Sequence, residues 1–165
     1  MIFETFWRKK QKQQDKTTEE STEIDVDTFK YKTTIETRFA DFDMMGHVNN
    51  AAYFTFMEIA RSKYWKQAIQ WDWKKTGVII ARASLDYIVP ILPDDKISIY
   101  VRTSKIGNTS FELEYLFVKQ KNNDEVICSK GKTVCVAFSY VQNAPVQIPH
   151  NERNKMLIFE QLNEH

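Results

Sequence analysis

The chain has 165 residues, enough for one domain with a real core and too few for two. Aromatics reach 13% while glycine and proline number four each, so long regular elements with few loops are expected. The formal net charge is +1, which gives no global field for nucleic acid.

The opening "MIFETFWRKKQ" has no apolar run long enough for a signal peptide, and its charges follow the apolar residues, the reverse of signal-peptide order. No stretch is apolar for long enough to span a bilayer as a helix. From Arg8 to Asp27 the sequence is polar, with mixed charge and almost nothing to bury. Residues 1–28 are therefore expected to form a flexible leader, and residues 29–165 a single domain. Cys128 and Cys135 fall in one expected strand at an odd separation, on opposite faces, where they cannot pair. Reduced thiols suit a cytoplasmic protein.

In chain order, Phe29, Tyr31, Thr33, Ile35, Thr37 and Phe39 alternate with polar residues, which predicts a strand with one buried face. A dense polar loop, "DFDMMGHVNN", follows. Ala51 to about Ile69 then lacks Gly and Pro and is apolar around most of its circumference. Only Thr55, Glu58, Ser62 and Lys66 make a polar stripe. Such a helix is expected to be wrapped by other structure on most sides. Strands follow over Gly77–Val89, about Ile97–Thr103, Phe111–Phe117 and Val126–Tyr140, with turns at Gly107-Asn108 and "KNNDE". The last strand offers small residues on one face (Gly131, Thr133, Cys135, Ala137, Ser139), which suits close approach of the aromatic helix. A short helix closes the chain, from about Asn151 to Leu162. The expected architecture is α+β: a curved antiparallel sheet of about five strands around one long helix, with an open edge for a second copy.

Two stretches carry a family resemblance. "RFADFDMMGHVNNAAYFTFMEIARSKYW" resembles the signature of hotdog-fold acyl-CoA thioesterases, and "IIARASLDYIVPILPDDKISIYVRTSKIGNTSFELEY" resembles strands of the same family. The nearest group is the 4-hydroxybenzoyl-CoA thioesterase family, and the resemblance covers roughly Phe29 to Pro149. It implies thioester hydrolysis without metal or redox cofactor, on acyl-CoA or acyl-ACP, in a homodimer or homotetramer with sites at the interface.

Hydrolysing a thioester requires a polarised carbonyl and an attacking group. A buried helix N-terminus polarises, through partnerless N–H groups and a positive dipole end. The amides of about Asn49 to Ala52 are expected to point at the carbonyl oxygen. Asp43 matches the family's acting carboxylate, as nucleophile or general base; its structural alternative is a cap or turn. Asp41 is expected to support the loop. His47 would orient the thioester or water, and Asn50 would contact the carbonyl through its amide. Gly46 suits positive φ or close approach. Val48, Asn49 and Tyr53 complete the site, Asn49 mainly as a cap and Tyr53 as pocket lining or core. Glu58 is the rival carboxylate, with Arg61 and Ser62 spaced for a local pairing. Arg82 and Ser84, in "RAS", match a family segment near the pantetheine channel. A non-catalytic acyl-binding protein on the same fold is the alternative from another class.

Overall fold

The computed structural model describes residues 26–122 and 124–163. The expected leader thus lies outside the described residues up to position 25, and Val26–Thr28 form one 3₁₀ turn. Packing begins at Phe29, which is buried beneath the Arg102 guanidinium, 4.7 Å from the ring centroid.

Strand β1 spans Tyr31–Ile35 and buries both of those end residues. It stops before the alternation does. Arg38 donates to the Asp41 carboxylate from its backbone N–H (2.7 Å) and from its guanidinium (2.9 Å). That clasp closes a 3₁₀ turn over Phe39–Asp41 and leaves Phe39, expected on the buried face, 98% exposed.

Helix α1 spans Asn50–Tyr64 and continues as a π turn over Trp65–Ile69, ended by Gln70 at φ 52°. It buries Ala52, Tyr53, Phe56, Met57, Ala60 and Tyr64. The stripe of Thr55, Glu58, Ser62 and Lys66 faces solvent, as its spacing predicts. Phe54 and Ile59 flank that stripe and are exposed too. In the single chain the helix is therefore covered on one side, not on most sides.

The other strands are β2 (Gly77–Tyr87), β3 (Ile97–Ile106), β4 (Ser110–Lys121), β5 (Asp124–Ser139) and the two-residue β6 (Ala144–Pro145); helix α2 spans His150–Glu160. All pairings are antiparallel, in the order β1-β3-β4-β5-β2, with β6 on β5. The sheet curls around α1. Tyr53 stacks against Tyr87 of β2 and Phe117 of β4, and Tyr64 reaches Thr103 of β3 at 2.8 Å. The small face of β5 does what its composition suggests: a Cβ on Gly131 would sit 3.2 Å from the Met57 sulfur of α1. This is the hotdog arrangement, one helix held in a half-rolled antiparallel sheet.

Parity misled at the cysteines. A bulge opposite Phe117/Val118 inserts Cys128 between the paired residues Ile127 and Ser129. The extra residue shifts the face, so Cys128 and Cys135 both belong to the buried core, and both are free thiols. Burial pushes each thiol up to about 11, which keeps it neutral and unreactive. Among the described residues strand β2 ends the sheet with one edge unpaired. Its residues 79–84 are exposed, Ile79 and Ile80 among them.

Candidate active site

The loop between the 3₁₀ turn and α1 is built by its own polar groups. Phe42 and Val48 form an antiparallel bridge, and the Asp43 N–H donates to the His47 carbonyl at 2.8 Å. Between them the chain reverses over Met44 and Met45. Gly46 takes φ +74°, and its N–H donates to the Asp43 carbonyl at 3.0 Å. Apart from its two chain neighbours, no described residue has an atom within 4 Å of where a Gly46 Cβ would stand, so the glycine serves backbone conformation and not close approach.

Within this reversal the Asp43 carboxylate is anchored on one side. Its Oδ1 accepts the N–H groups of Met45 (2.8 Å) and His47 (3.1 Å). Among the described residues none donates to Oδ2. The side chain is exposed in the single chain and lines a cleft of about 160 Å³. Asp41, two residues earlier, has a different task. It is 4% exposed, its carbonyl accepts the Asn49 N–H at 2.8 Å, and its hydrogen bond with Arg38 holds its carboxyl below the usual carboxylate range.

The N-terminus of α1 opens onto the same cleft. Of its first amides, most are already committed. Asn49 N–H goes to Asp41, Ala51 N–H to the Asn49 side chain (2.9 Å), and Ala52 N–H to the Asn49 carbonyl (2.9 Å). The Asn50 N–H has no hydrogen-bond partner among the described residues. The expectation of several inward-pointing amides from Asn49 to Ala52 therefore contracts to one, because Asn49 caps the helix with its side chain and its carbonyl.

Two further walls complete the cleft. His47, Val48, Asn50 and Tyr53 come from the loop and helix; Tyr87, Ile88, Val89 and Pro90 come from the end of β2 and the segment after it. Val48 is buried and its N–H bonds the Ile91 carbonyl at 3.0 Å, which ties loop to segment. Lys119 pins that segment, donating to the Pro90 carbonyl (2.9 Å) and pairing with Asp95 (2.7 Å). Tyr53 is 3% exposed at the cleft floor and edge-on to Tyr87, with ring centroids 5.0 Å apart. Burial raises the Tyr53 and Tyr87 hydroxyls above the ordinary phenol value, so both are neutral donors. Sequence reading did not single out Tyr87. The signal for it was "DYIVP", where proline stops the strand beside the helix N-terminus.

Five of the site residues named from sequence do not line the cleft: Gly46 and Asn49 shape its loop and the helix cap, and Glu58, Arg82 and Ser84 stand apart from it. Glu58 is exposed on α1, and its spacing to Arg61 yields no ion pair. Arg61 instead turns inward, to the Tyr115 hydroxyl at 3.4 Å and over the Trp65 ring. Arg82 and Ser84 are exposed on β2 at even offsets from each other and odd offsets from Tyr87. They occupy the opposite face of the strand from the cleft.

Comparison with known proteins now decides the class. Residues 37–156 match the family described as the thioesterase-like superfamily. The chain belongs to that superfamily. This thioesterase is 30% identical over 131 residues to the uncharacterised protein YsmA of Bacillus subtilis (strain 168), covering 79% of the chain and 87% of YsmA. A Thermus thermophilus thioesterase crystallised with coenzyme A and Zn is 33% identical, with TM-score 0.70 over 81% of this chain and 96% of that one. A 4-hydroxybenzoyl-CoA thioesterase bound to 4-hydroxybenzoyl-CoA superposes with TM-score 0.71 over 76% of this thioesterase and 97% of that chain; at 13% identity the likeness is one of fold. The matched span contains the whole cleft, and the chain is a thioester hydrolase.

Proposed function

We propose that this thioesterase hydrolyses acyl-CoA to the free acid and CoA, with Asp43 as the acting carboxylate and the Asn50 amide as the carbonyl's electrophilic partner. One observation carries the reading. Among the described residues, a carboxylate with one oxygen anchored and the other unclaimed shares a cleft with the one unclaimed amide at the α1 N-terminus. The thioester carbonyl oxygen accepts from the Asn50 N–H, reinforced by the positive end of the helix dipole. Asp43 Oδ2 then either attacks the carbonyl carbon or takes a proton from the water that does. A carbon–oxygen bond forms, the carbon–sulfur bond breaks, and the thiolate leaves and takes up a proton; where Asp43 itself attacks, the product is a mixed anhydride, which water then cleaves to release the acid and restore the carboxylate. His47 and Tyr87 orient the substrate. A likeness to a protein crystallised with coenzyme A supports the carrier. The exposed β2 edge supports a homodimer that covers it, and the narrow single-chain cleft gains a wall from the partner.

The test is kcat on one well-turned-over acyl-CoA for three variants, with folding checked by circular dichroism. Asp43→Asn keeps both amide contacts at Oδ1 and loses base or nucleophile, so its kcat should fall about 10²–10⁴-fold or further. His47→Ala and Glu58→Gln should each cost less. A Glu58→Gln enzyme that is dead beside an active Asp43→Asn would make the helix carboxylate the catalyst. Presenting the same acyl group on acyl carrier protein separates the two carriers, and binding without thiol release from either would make the chain an acyl-binding protein.

A further inference from the structure

One wall of the cleft, Ile88 to Pro90, follows β2 and belongs to no strand or helix. Its backbone groups must therefore find partners outside a ladder. Where β2 leaves the sheet, the Cys128 carbonyl at the β5 bulge accepts the next two amides, Ile88 (2.9 Å) and Val89 (3.0 Å). Pro90 has no N–H, and its carbonyl accepts from the Lys119 ammonium of β4 at 2.9 Å. The Ile91 carbonyl accepts the Val48 N–H at 3.0 Å. The Leu92 N–H donates to Asp95 Oδ2 at 2.8 Å, and the same oxygen accepts from the Lys119 ammonium at 2.7 Å. Lys119 and Asp95 thus hold both sides of Ile91, through the residue before it and the residue after it. Their side chains are only 11% and 19% exposed. So shielded a pair adds little net stability over apolar side chains of similar volume, and stability gives no account of it.

What the pair fixes is place. Val48 stands at the junction: it is buried, bridged to Phe42 within its own loop and bonded to Ile91. Just before it is His47, whose N–H and carbonyl both hold Asp43. Two residues after it is Asn50, the amide offered to the thioester carbonyl. A displaced Ile91 therefore moves the carboxylate and the amide, and a displaced Pro90 moves the other wall. Neither Lys119 nor Asp95 lines the cleft, so any effect on substrate passes through Pro90, Ile91 and Leu92.

We infer that Lys119 and Asp95 are positioning residues for the reaction, a charged brace that sets the Ile88–Pro90 wall against the loop carrying Asp43 and Asn50. The inference rests on the acyl-CoA hydrolase reading of the cleft. Misplacing a reacting group by about 1 Å can cost about a hundred-fold in rate, so a brace that touches no substrate can govern turnover.

The experiment measures kcat and KM on one acyl-CoA, melting temperature, and hydrogen exchange of the peptide spanning 42–54. The double variant Asp95→Leu/Lys119→Met replaces the pair with apolar side chains and should melt near the native protein. It still lacks a donor for the Pro90 carbonyl. Its kcat should fall about ten- to a hundred-fold and its KM should rise several-fold. Amides of 42–54 should exchange faster in it, while those of β3 and β4 do not change. Lys119→Arg keeps a charged donor and should stay close to native in all three readings. Asp95→Asn is nearly isosteric, still accepts the Leu92 N–H and loosens only the grip on Lys119. It should show the same rise in KM and the same faster loop exchange at smaller amplitude, and it keeps the test open if the double variant does not fold. Native kcat, KM and loop exchange in the folded variants overturn the inference. So does a loss confined to the folded fraction, with KM and loop exchange unchanged. Native protein that releases thiol from no acyl-CoA would sink the hydrolase reading instead. The exchange arm then decides the brace by itself: faster exchange in 42–54 upholds it, and unchanged exchange overturns it.

Discussion

Asp43 and Gly46 depend on each other through the backbone. The positive φ at Gly46 folds the loop so that the Met45 and His47 amides converge on one carboxylate oxygen. An alanine at Gly46 meets no steric obstacle, so its cost is the left-handed backbone alone, about 1 kcal/mol. At Gly131 the reverse holds. Its backbone is ordinary, and an alanine Cβ would press on Met57 and Leu85 at 3.2 Å, with an overpacking cost of about 1–3 kcal/mol. Urea denaturation of Gly46→Ala and Gly131→Ala should show both losses. Only Gly46→Ala should reduce kcat beyond its loss of folded protein, because it alone displaces the amides that hold Asp43.

Among the elements, α2 is fastened to the sheet by one carboxylate. Glu160 accepts from the Tyr64 hydroxyl at 2.6 Å and from the Thr103 backbone N–H at 3.0 Å, where β3 is bulged and that amide is free of the ladder. Burial raises the Glu160 carboxyl above its ordinary 4.5 despite these donors. A carboxyl raised in the fold binds its proton more tightly there than in the unfolded chain. Its contribution to stability is complete below pH 4.5 and is lost as pH rises through the raised value. Glu160→Gln keeps an acceptor for both donors and removes the titration. Its melting temperature should therefore decline less than the native protein's as pH rises above about 4.5. Parallel pH series of both proteins in a thermal melt check this; identical slopes would mean that Glu160 does not titrate with folding.

For the molecule as a whole, the proposed assembly rests on the sheet edge. Among the described residues strand β2 pairs only with β5, stays exposed from 79 to 84 and presents Ile79 on the face away from α1. A second copy pairing there would bury that edge and roof the cleft. Light scattering should give a dimer or tetramer at micromolar concentration, and Ile79→Lys should move the mass toward the monomer. An active monomer of native sequence would overturn the proposed assembly. Residues 1–25 carry no apolar periodicity in the sequence and precede the family match at residue 37. Deleting residues 1–25 should leave turnover within a few-fold; lost turnover with intact folding would place the leader's apolar start at the site or the interface.

Local architecture was legible in the residues alone. Period-two alternation marked β1, β3 and β4, the absence of Gly and Pro marked α1, and the small face of β5 identified its partner. The density of Asp, Gly, His and Asn before an apolar helix located the loop that became the cleft. These signals are local, set by how each residue type fits a repeat or a turn. What failed to show depended on pairing between distant segments. The Cys128 bulge appears only when β5 is laid against β4, and it reverses a face that parity alone assigns. Tyr87 enters the site because β2 ends beside the α1 N-terminus. Arg61 faces inward to Tyr115 instead of along the helix to Glu58, because the sheet curls over that flank. The free amide at Asn50 likewise belongs to the folded chain, since the partners of Asn49, Ala51 and Ala52 are fixed by the path of the loop around Asp41 and by the cap.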